Sequence, residues 1–210
     1  MSKELLVEKM ILDEILSEQL KAGQMMLPER DLAIKYDCSR PVVHKAIIRL
    51  ENKGVLKIRP RKGIQVLDFK VSGKLSLIEE ISSKKKDSLS KKLNHDLLHF
   101  IKDNFKNVLL LFRETKKEPT EIHLETPEDF FSLLFDYCHQ CGNHIYPMLM
   151  NEFKIGIINV AKCCTHSDEV SKLFHSIEKC IMENQIDQAV VLVDELFEHI
   201  ENLWIGGWDV

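Results

Sequence analysis

No apolar stretch in the 210 residues approaches the roughly 20 needed to span a bilayer. The N-terminus, MSKELLVEKMILDEIL, sets acids among its apolar residues, so it reads as an amphipathic helix and not as a secretory signal. There is no internal repeat, no Gly-rich phosphate loop and no nucleophile motif, and no histidine pair reads as a metal-binding helix face. An enzyme reading therefore has no residues to stand on, and neither a metal nor a cofactor is expected. Six cysteines without a secretory signal suit a reducing compartment, hence free thiols and a cytoplasmic location.

Charge is unevenly spread beneath the net value of −4. Residues 1–67 hold 13 Lys+Arg against 9 Asp+Glu, whereas the remainder holds 16 against 24. Within 28–62 the count is 10 against 4. A basic segment on an acidic body suits a protein that meets phosphate at one end only, although a solvated lysine-rich face would look the same.

The pattern of apolar residues supplies the elements. Leu6, Met10, Ile11, Ile15, Leu16 and Leu20 recur at helical spacing over 4–22, and Ala22-Gly23 ends that run. Pro28-Glu29 opens a second helix, through Leu32, Ala33 and Ile34 to about Tyr36. After a turn at Asp37-Cys38, Ser39 caps a third helix with Val42, Val43, Ala46, Ile47 and Leu50 on its inner face. Asn52-Lys53-Gly54 stops it. Val55, Leu56 and Ile58, then Ile64 and Val66, predict two short strands around the cationic turn Arg59-Pro60-Arg61-Lys62-Gly63. Two helices, a tight turn between them and a basic hairpin make a winged helix-turn-helix.

Asp68–Ser76 reads as a polar linker. Beyond it the patterns at 77–82, 87–112, 127–141, 144–163, 168–183 and 186–204 are all helical. Thr126-Pro127-Glu128 and Ser167-Asp168-Glu169 are helix starts, and Gly142 and Asn184 are stops. The run Lys84-Lys85-Lys86, with Lys91 and Lys92 nearby, reads as a solvated helix connection. The expected fold is mostly α: a winged helix-turn-helix over 1–67, a linker over 68–76, and an all-α antiparallel bundle over 77–210 for effector binding and dimerisation.

The stretch GQMMLPERDLAIKYDCSRPVVHKAIIRLENKGVLKIRPRKGIQV resembles the DNA-binding domain of the GntR family of transcription regulators. Glu29-Arg30, Leu32-Ala33, Ser39-Arg40, Ala46, Leu50 and Gly54 fall on that family's pattern. The resemblance implies DNA contacts by Arg30 on the second helix and by Arg40 at the start of the third. Arg is also the side chain best matched to the paired acceptors of guanine. Ser39 and its helix N-terminus suit a phosphate. Lys45 and Arg49 stand on or near the third helix, and Arg59, Arg61 and Lys62 would set the wing on the DNA backbone or in the minor groove. His44 stands where close relatives have arginine, Pro41 where they have threonine, and Pro28 falls one place late. Neutral histidine offers one donor and one acceptor instead of a fork, so the operator sequence is expected to differ. A helix-turn-helix protein of this size implies a homodimer on a pseudo-palindromic operator.

Family members with helical bundles come in two kinds. One holds a metal with an Asp, a His four residues on, and two later histidines. Its first two positions fall on Phe130 and Leu134, which cannot ligate, leaving only His175 and His199. The second half resembles the other kind more, that of the fatty-acid metabolism regulator FadR, through GNHIYPMLMNEFKIGI and LFHSIEKCIMENQIDQAVVLVDELFEHIENLW. This implies control by long-chain acyl-CoA. The tyrosines of that pocket, however, fall on Ile157, Cys164, Phe174 and Leu196, and a glycine and a serine at its mouth fall on Phe197 and Ile200. Polar handles are thus lost and bulk is added; Tyr146 and Trp204 remain, with core packing as the alternative for both. Acyl-CoA, a different apolar ligand and no effector at all stay open. Cys138-His139-Gln140-Cys141 reads as packing, with a redox sensor as the alternative.

Overall fold

The computed structural model describes residues 2–84, 89–115 and 125–206. The chain forms two compact units, Met1–Glu80 and Ile81–Val210.

In the first unit, α1 (Lys3–Leu16) starts at Ser2, whose hydroxyl accepts from the Leu5 amide. It buries Val7, Ile11, Leu12, Ile15 and Leu16. The stripe is rotated from the expected one: Leu6 and Met10 are exposed, and the helix ends at Leu16 instead of running to Ala22. α2 (Glu29–Lys35) and α3 (Arg40–Asn52) follow, capped by Pro28 and Ser39. α3 buries Val43, Ala46, Ile47 and Leu50 against α1 and α2. At Gly54 the backbone adopts φ 78, and a Cβ there would come within 2.0 Å of the Ser72 carbonyl oxygen. The chain needs glycine at that point both for conformation and for room.

The wing is an antiparallel hairpin, β1 (Leu56–Arg59) with β2 (Gly63–Val66), in the register Leu56↔Val66 to Arg59↔Gly63. Residues 23–26 extend it: the Met26 amide donates to Ile64 O at 2.8 Å and the Val66 amide to Gln24 O at 2.9 Å. At the tip the Lys62 amide donates to Arg59 O (3.0 Å), with Pro60 second in the turn and Arg61 third at φ 62. Glycine or asparagine is the usual occupant of such a position, because a Cβ is strained there.

The segment 68–76, expected as a linker, is largely helical: α4 (Phe69–Ser72) and the start of α5 (Leu75–Ser82). Asp68 caps α4 by accepting from the Lys70 amide. Ser72 Oγ donates to Gly54 O (2.7 Å) and the Lys74 amide to Lys53 O (3.0 Å), so this polar stretch is tied to the first unit. These bonds reach 18 and 21 residues back along the chain, which periodicity does not reveal.

The second unit comprises α6 (Lys91–Thr115), α7 (Pro127–Gln140), α8 (Ile145–Cys164), α9 (Asp168–Met182) and α10 (Ile186–Ile205). α7 packs on α8, α9 on α10, and α10 on α6. A reciprocal cap at Thr126 and Asp129 opens α7, and Ser167 accepts from the Val170 amide at α9. Gly142 and Asn184 take positive φ at the ends of α7 and α9. Of the lysine run 84–86, only Lys84 lies within the described residues, as does the expected helix start at 87 only from Leu89 onward. Phe105, Phe112 and Tyr137 meet edge to face in the core. The Tyr137 hydroxyl is buried there without a hydrogen-bond partner, and burial pushes its pKa up.

Two outcomes follow for urea and thermal unfolding. Tyr137→Phe removes a buried, unbonded hydroxyl at constant shape and is expected to be neutral or stabilising by up to about 1 kcal/mol; a clear loss would reveal a partner for that hydroxyl. Arg61→Gly relieves the turn's strain, roughly 1–3 kcal/mol, against roughly 0.4–1 kcal/mol of added chain entropy in the unfolded state. A melting temperature that falls would show that Arg61 sits in the turn without strain.

Candidate nucleic-acid interface

The face of α3 that looks away from the core begins with Arg40, 72% exposed, followed by Pro41 and His44. Ile48 continues it one turn later and is also exposed. The sequence reading passed over Ile48 because an isoleucine in a helical pattern is ordinarily assigned to the core. An exposed aliphatic group in this row suits a thymine methyl.

Glu29, on the first turn of α2, binds both polar members of the row. The Arg40 Nε donates to its Oε2 at 3.2 Å, and His44 Nδ1 lies 2.6 Å from its Oε1. Burial would raise the Glu29 pKa, but the bonds and charges of His44 and Arg40 outweigh it and hold the carboxyl below its ordinary range. Because Arg40 is held through Nε, its two terminal nitrogens remain for a ligand. A carboxylate only accepts, so the proton of neutral His44 belongs on Nδ1 and its Nε2 is an acceptor. Glu29 was visible as part of the family pattern, but its clamp on two residues 11 and 15 positions away was not.

Lys45 and Arg49 point toward α1. Lys45 Nζ pairs with Glu4 Oε1 at 2.9 Å, and Arg49 pairs with Glu8. Glu4 is partly exposed, and the hydrogen bond from Lys45 leads the causes that lower its pKa. Such a solvent-screened surface pair yields readily to a phosphate. Glu8 differs, being only 3% exposed, and it also faces Lys53 Nζ at 2.7 Å. Arg49 is thus committed to the α1–α3 seam.

Arg30, on α2, is exposed, and so are Arg61 and Lys62 at the wing tip. Among the described residues none of these three has an ion-pair partner. Arg59 is pinned along the hairpin by Gln65, its Nε donating to Oε1 at 2.6 Å. Ser39 makes no side-chain bond to its own helix, leaving the hydroxyl available. The arrangement offers an arginine fork, a histidine ring held through Nδ1 and an apolar contact on one helix face, with cations unpaired among the described residues beside it.

In the second unit, Ile157, Cys164, Phe174, Phe197 and Ile200 come together around one internal cavity of about 40 Å³. Leu98, Phe130, Leu134 and Leu196 are among the other apolar residues that line it. Tyr146 is half-buried at the start of α8, away from this wall. Trp204 lines a separate cleft of about 30 Å³ and donates from Nε1 to Asn94 Oδ1 at 3.0 Å. His175 Nδ1 lies on the Ser171 carbonyl (2.7 Å) and His199 beside Glu169 (3.3 Å). Cys138 and Cys141 are buried, and burial, with a smaller effect of Cys141, pushes the Cys138 thiol up to about 12. No helix among the described residues is long and apolar enough to cross a membrane.

Residues 4–66 match the sequence profile of the bacterial regulatory proteins of the gntR family. The Uxu operon transcriptional regulator of Escherichia coli K12 is 42% identical over 62 residues. That stretch is 30% of this chain and 24% of the regulator's length, so the likeness spans about a quarter of that relative. Over 99% of each chain the fold is similar to that of Lar, which controls the expression of the Listeria monocytogenes agr system, at a TM-score of 0.53 and 15% identity. That identity speaks for the fold alone. The matched stretch, under a third of the chain, contains α1 to β2, and with them Glu29, Arg40, His44 and the wing, so the likeness to the gntR-family bacterial regulatory proteins rests on the N-terminal unit.

Proposed function

We propose that the chain is a transcription regulator that binds operator DNA through α3 and the wing and catalyses no reaction. The observation that carries this reading is the row Arg40, Pro41, His44 on the outer face of α3, with Arg40 and His44 both oriented by Glu29. In this reading α3 lies in the major groove. Arg40 presents its terminal nitrogens to a guanine, and His44 Nε2 accepts from the exocyclic amine of adenine or cytosine. Arg30, Ser39 and Lys45 hold phosphates, the last by exchanging Glu4 for DNA. Arg61 and Lys62 carry the wing onto the backbone or into the minor groove. Arg49 drops out of the reading surface, because its partner Glu8 is buried. Arg59 contributes charge where β1 enters the tip turn. Two copies related by a two-fold axis would read the two halves of a pseudo-palindrome in the cytoplasm.

The helical unit supports a regulator with a different effector, or none, ahead of a FadR-like one. Five of the seven expected pocket residues do surround one cavity, which is the argument for acyl-CoA and for fatty-acid genes as targets. The cavity, however, is about 40 Å³, whereas ligand pockets are typically ~300–1,000 Å³. Phe197 and Ile200 occupy the wall where that reading needs a glycine and a serine. A redox-sensing role has less support still, since a thiol as high as Cys138 has little thiolate at neutral pH.

Fluorescence anisotropy on an operator selected from genomic fragments tests the DNA reading. Arg40→Ala should weaken specific binding by roughly 1–3 kcal/mol. Lys62→Ala should weaken binding to all sequences and reduce the salt slope by about one. Unchanged operator affinity in Arg40→Ala would remove α3 from the groove. For the effector, palmitoyl-CoA at micromolar concentration is expected neither to raise the melting temperature nor to release DNA; saturable release would reinstate the acyl-CoA reading.

A further inference from the structure

Outside the cavity, on the seam between α6 and α10, two histidines and a glutamate converge. His95 and His99 stand four residues apart on α6, and their rings stack with centroids 4.0 Å apart and planes 19° from parallel. Glu201 on α10 faces both. Its Oε1 is 3.6 Å from His95 Nε2, and its Oε2 is 3.4 Å from His99 Nε2. The three ligand atoms lie within 4.8 Å of one another. The sequence contains this i, i+4 histidine pair, contrary to the expectation that no helix face carries one. The third donor lies 102 residues from His99 and so escapes any local motif.

These separations are too long for hydrogen bonds. As nitrogen-to-oxygen separations they suit ligands sharing an ion, and a turn of the stacked rings out of parallel brings both Nε2 lone pairs onto it. A tetrahedral zinc with bonds of about 2.0–2.1 Å holds its ligand atoms about 3.3–3.4 Å apart. Two imidazole nitrogens and a carboxylate oxygen are also the donor set that borderline divalent metals prefer over calcium or magnesium. Among the described residues, Lys92 pairs with Asp96, and Lys102 and Lys106 with Asp194, none of the three with Glu201. The seam is held in register one turn away by the buried Trp204–Asn94 hydrogen bond. Side-chain exposures of 47%, 42% and 28% leave all three donors reachable and a fourth position open to water.

We propose that His95, His99 and Glu201 form a binding site for a divalent transition metal of the zinc class, coordinated through both Nε2 atoms and the carboxylate. Bound there, the ion staples the N-terminal half of α6 to the C-terminal half of α10. Leu98 and Ile200, the neighbours of His99 and Glu201 in the chain, line the internal cavity, so the staple fixes one of its walls. The site shares no residue with the DNA-reading face and stands whether or not that reading does.

Cobalt(II) is the probe, since its visible spectrum distinguishes nitrogen and oxygen ligands from thiolate. The full chain, freed of metal by chelation and kept reduced, is titrated with Co²⁺. One ion per chain is expected, with tetrahedral d–d bands and no thiolate charge-transfer band, displaced by Zn²⁺. His99→Ala and Glu201→Gln should each weaken binding by more than about tenfold. Both positions are partly exposed, and an unchanged far-UV circular dichroism spectrum in the metal-free variants separates ligand loss from unfolding. Absence of binding at 100-fold excess, a charge-transfer band that persists in His99→Ala, or wild-type affinity in both variants would each overturn the assignment, the second by assigning the metal to the cysteines.

Discussion

Glu8 carries a carboxylate into the seam between α1 and α3, where water is nearly excluded. A charge in such a place must be answered, and it is answered from α3 by Arg49 and just beyond α3 by Lys53, which also reaches Glu80 at 2.6 Å. An α-helix of 3.6 residues per turn sets residues nine apart on opposite sides. Fixing Arg49 inward against α1 therefore fixes Arg40 outward. The buried side chains of Val43, Ala46, Ile47 and Leu50 set the inner face of the helix, and buried Glu8 adds a directional tether to it through Arg49, whose own side chain is 51% exposed. The roll of α3, and with it the row Arg40, His44 and Ile48, follows from these contacts and this acid together.

Much of the fold was legible because its signals are local. Pro28, Ser39 and Gly54 punctuate the first unit as expected, and Gly142, Asn184, Thr126 and Ser167 bound helices of the second within a residue or two. The misjudged pieces lack a local signal. α1 carries more apolar residues than it buries, so periodicity alone selected a stripe rotated from the true one. The segment 68–76 looks like a linker because Ser72 and Lys74 spend their polarity on Gly54 O and Lys53 O, nearly 20 residues back.

The same distinction governs the candidate sites. Which cations are present could be read from the chain, but not which are free. Arg49 and Arg30 look alike in sequence, and only the fold sets one against a buried acid while leaving the other unpaired. In the helical unit the residues that surround the cavity were identifiable by analogy, whereas its size depends on how Phe130, Phe174 and Phe197 interleave, with Phe130 and Phe174 meeting edge to face at 4.8 Å. Convergence of His95, His99 and Glu201 likewise required α6 and α10 to be neighbours.

The clamp of Glu29 on Arg40 and His44 has a consequence for discrimination. In free protein the carboxylate already satisfies these groups, as an internal competitor for any outside acceptor. A stray phosphate offers Arg40 little that Glu29 does not, and must also tolerate the acid's own negative charge beside it. A guanine edge, neutral and bidentate, adds bonds to the terminal nitrogens without displacing the one at Nε. The acid thus sets a threshold that favours a base over the backbone, and a protein that searches long stretches of wrong sequence gains by releasing each of them quickly.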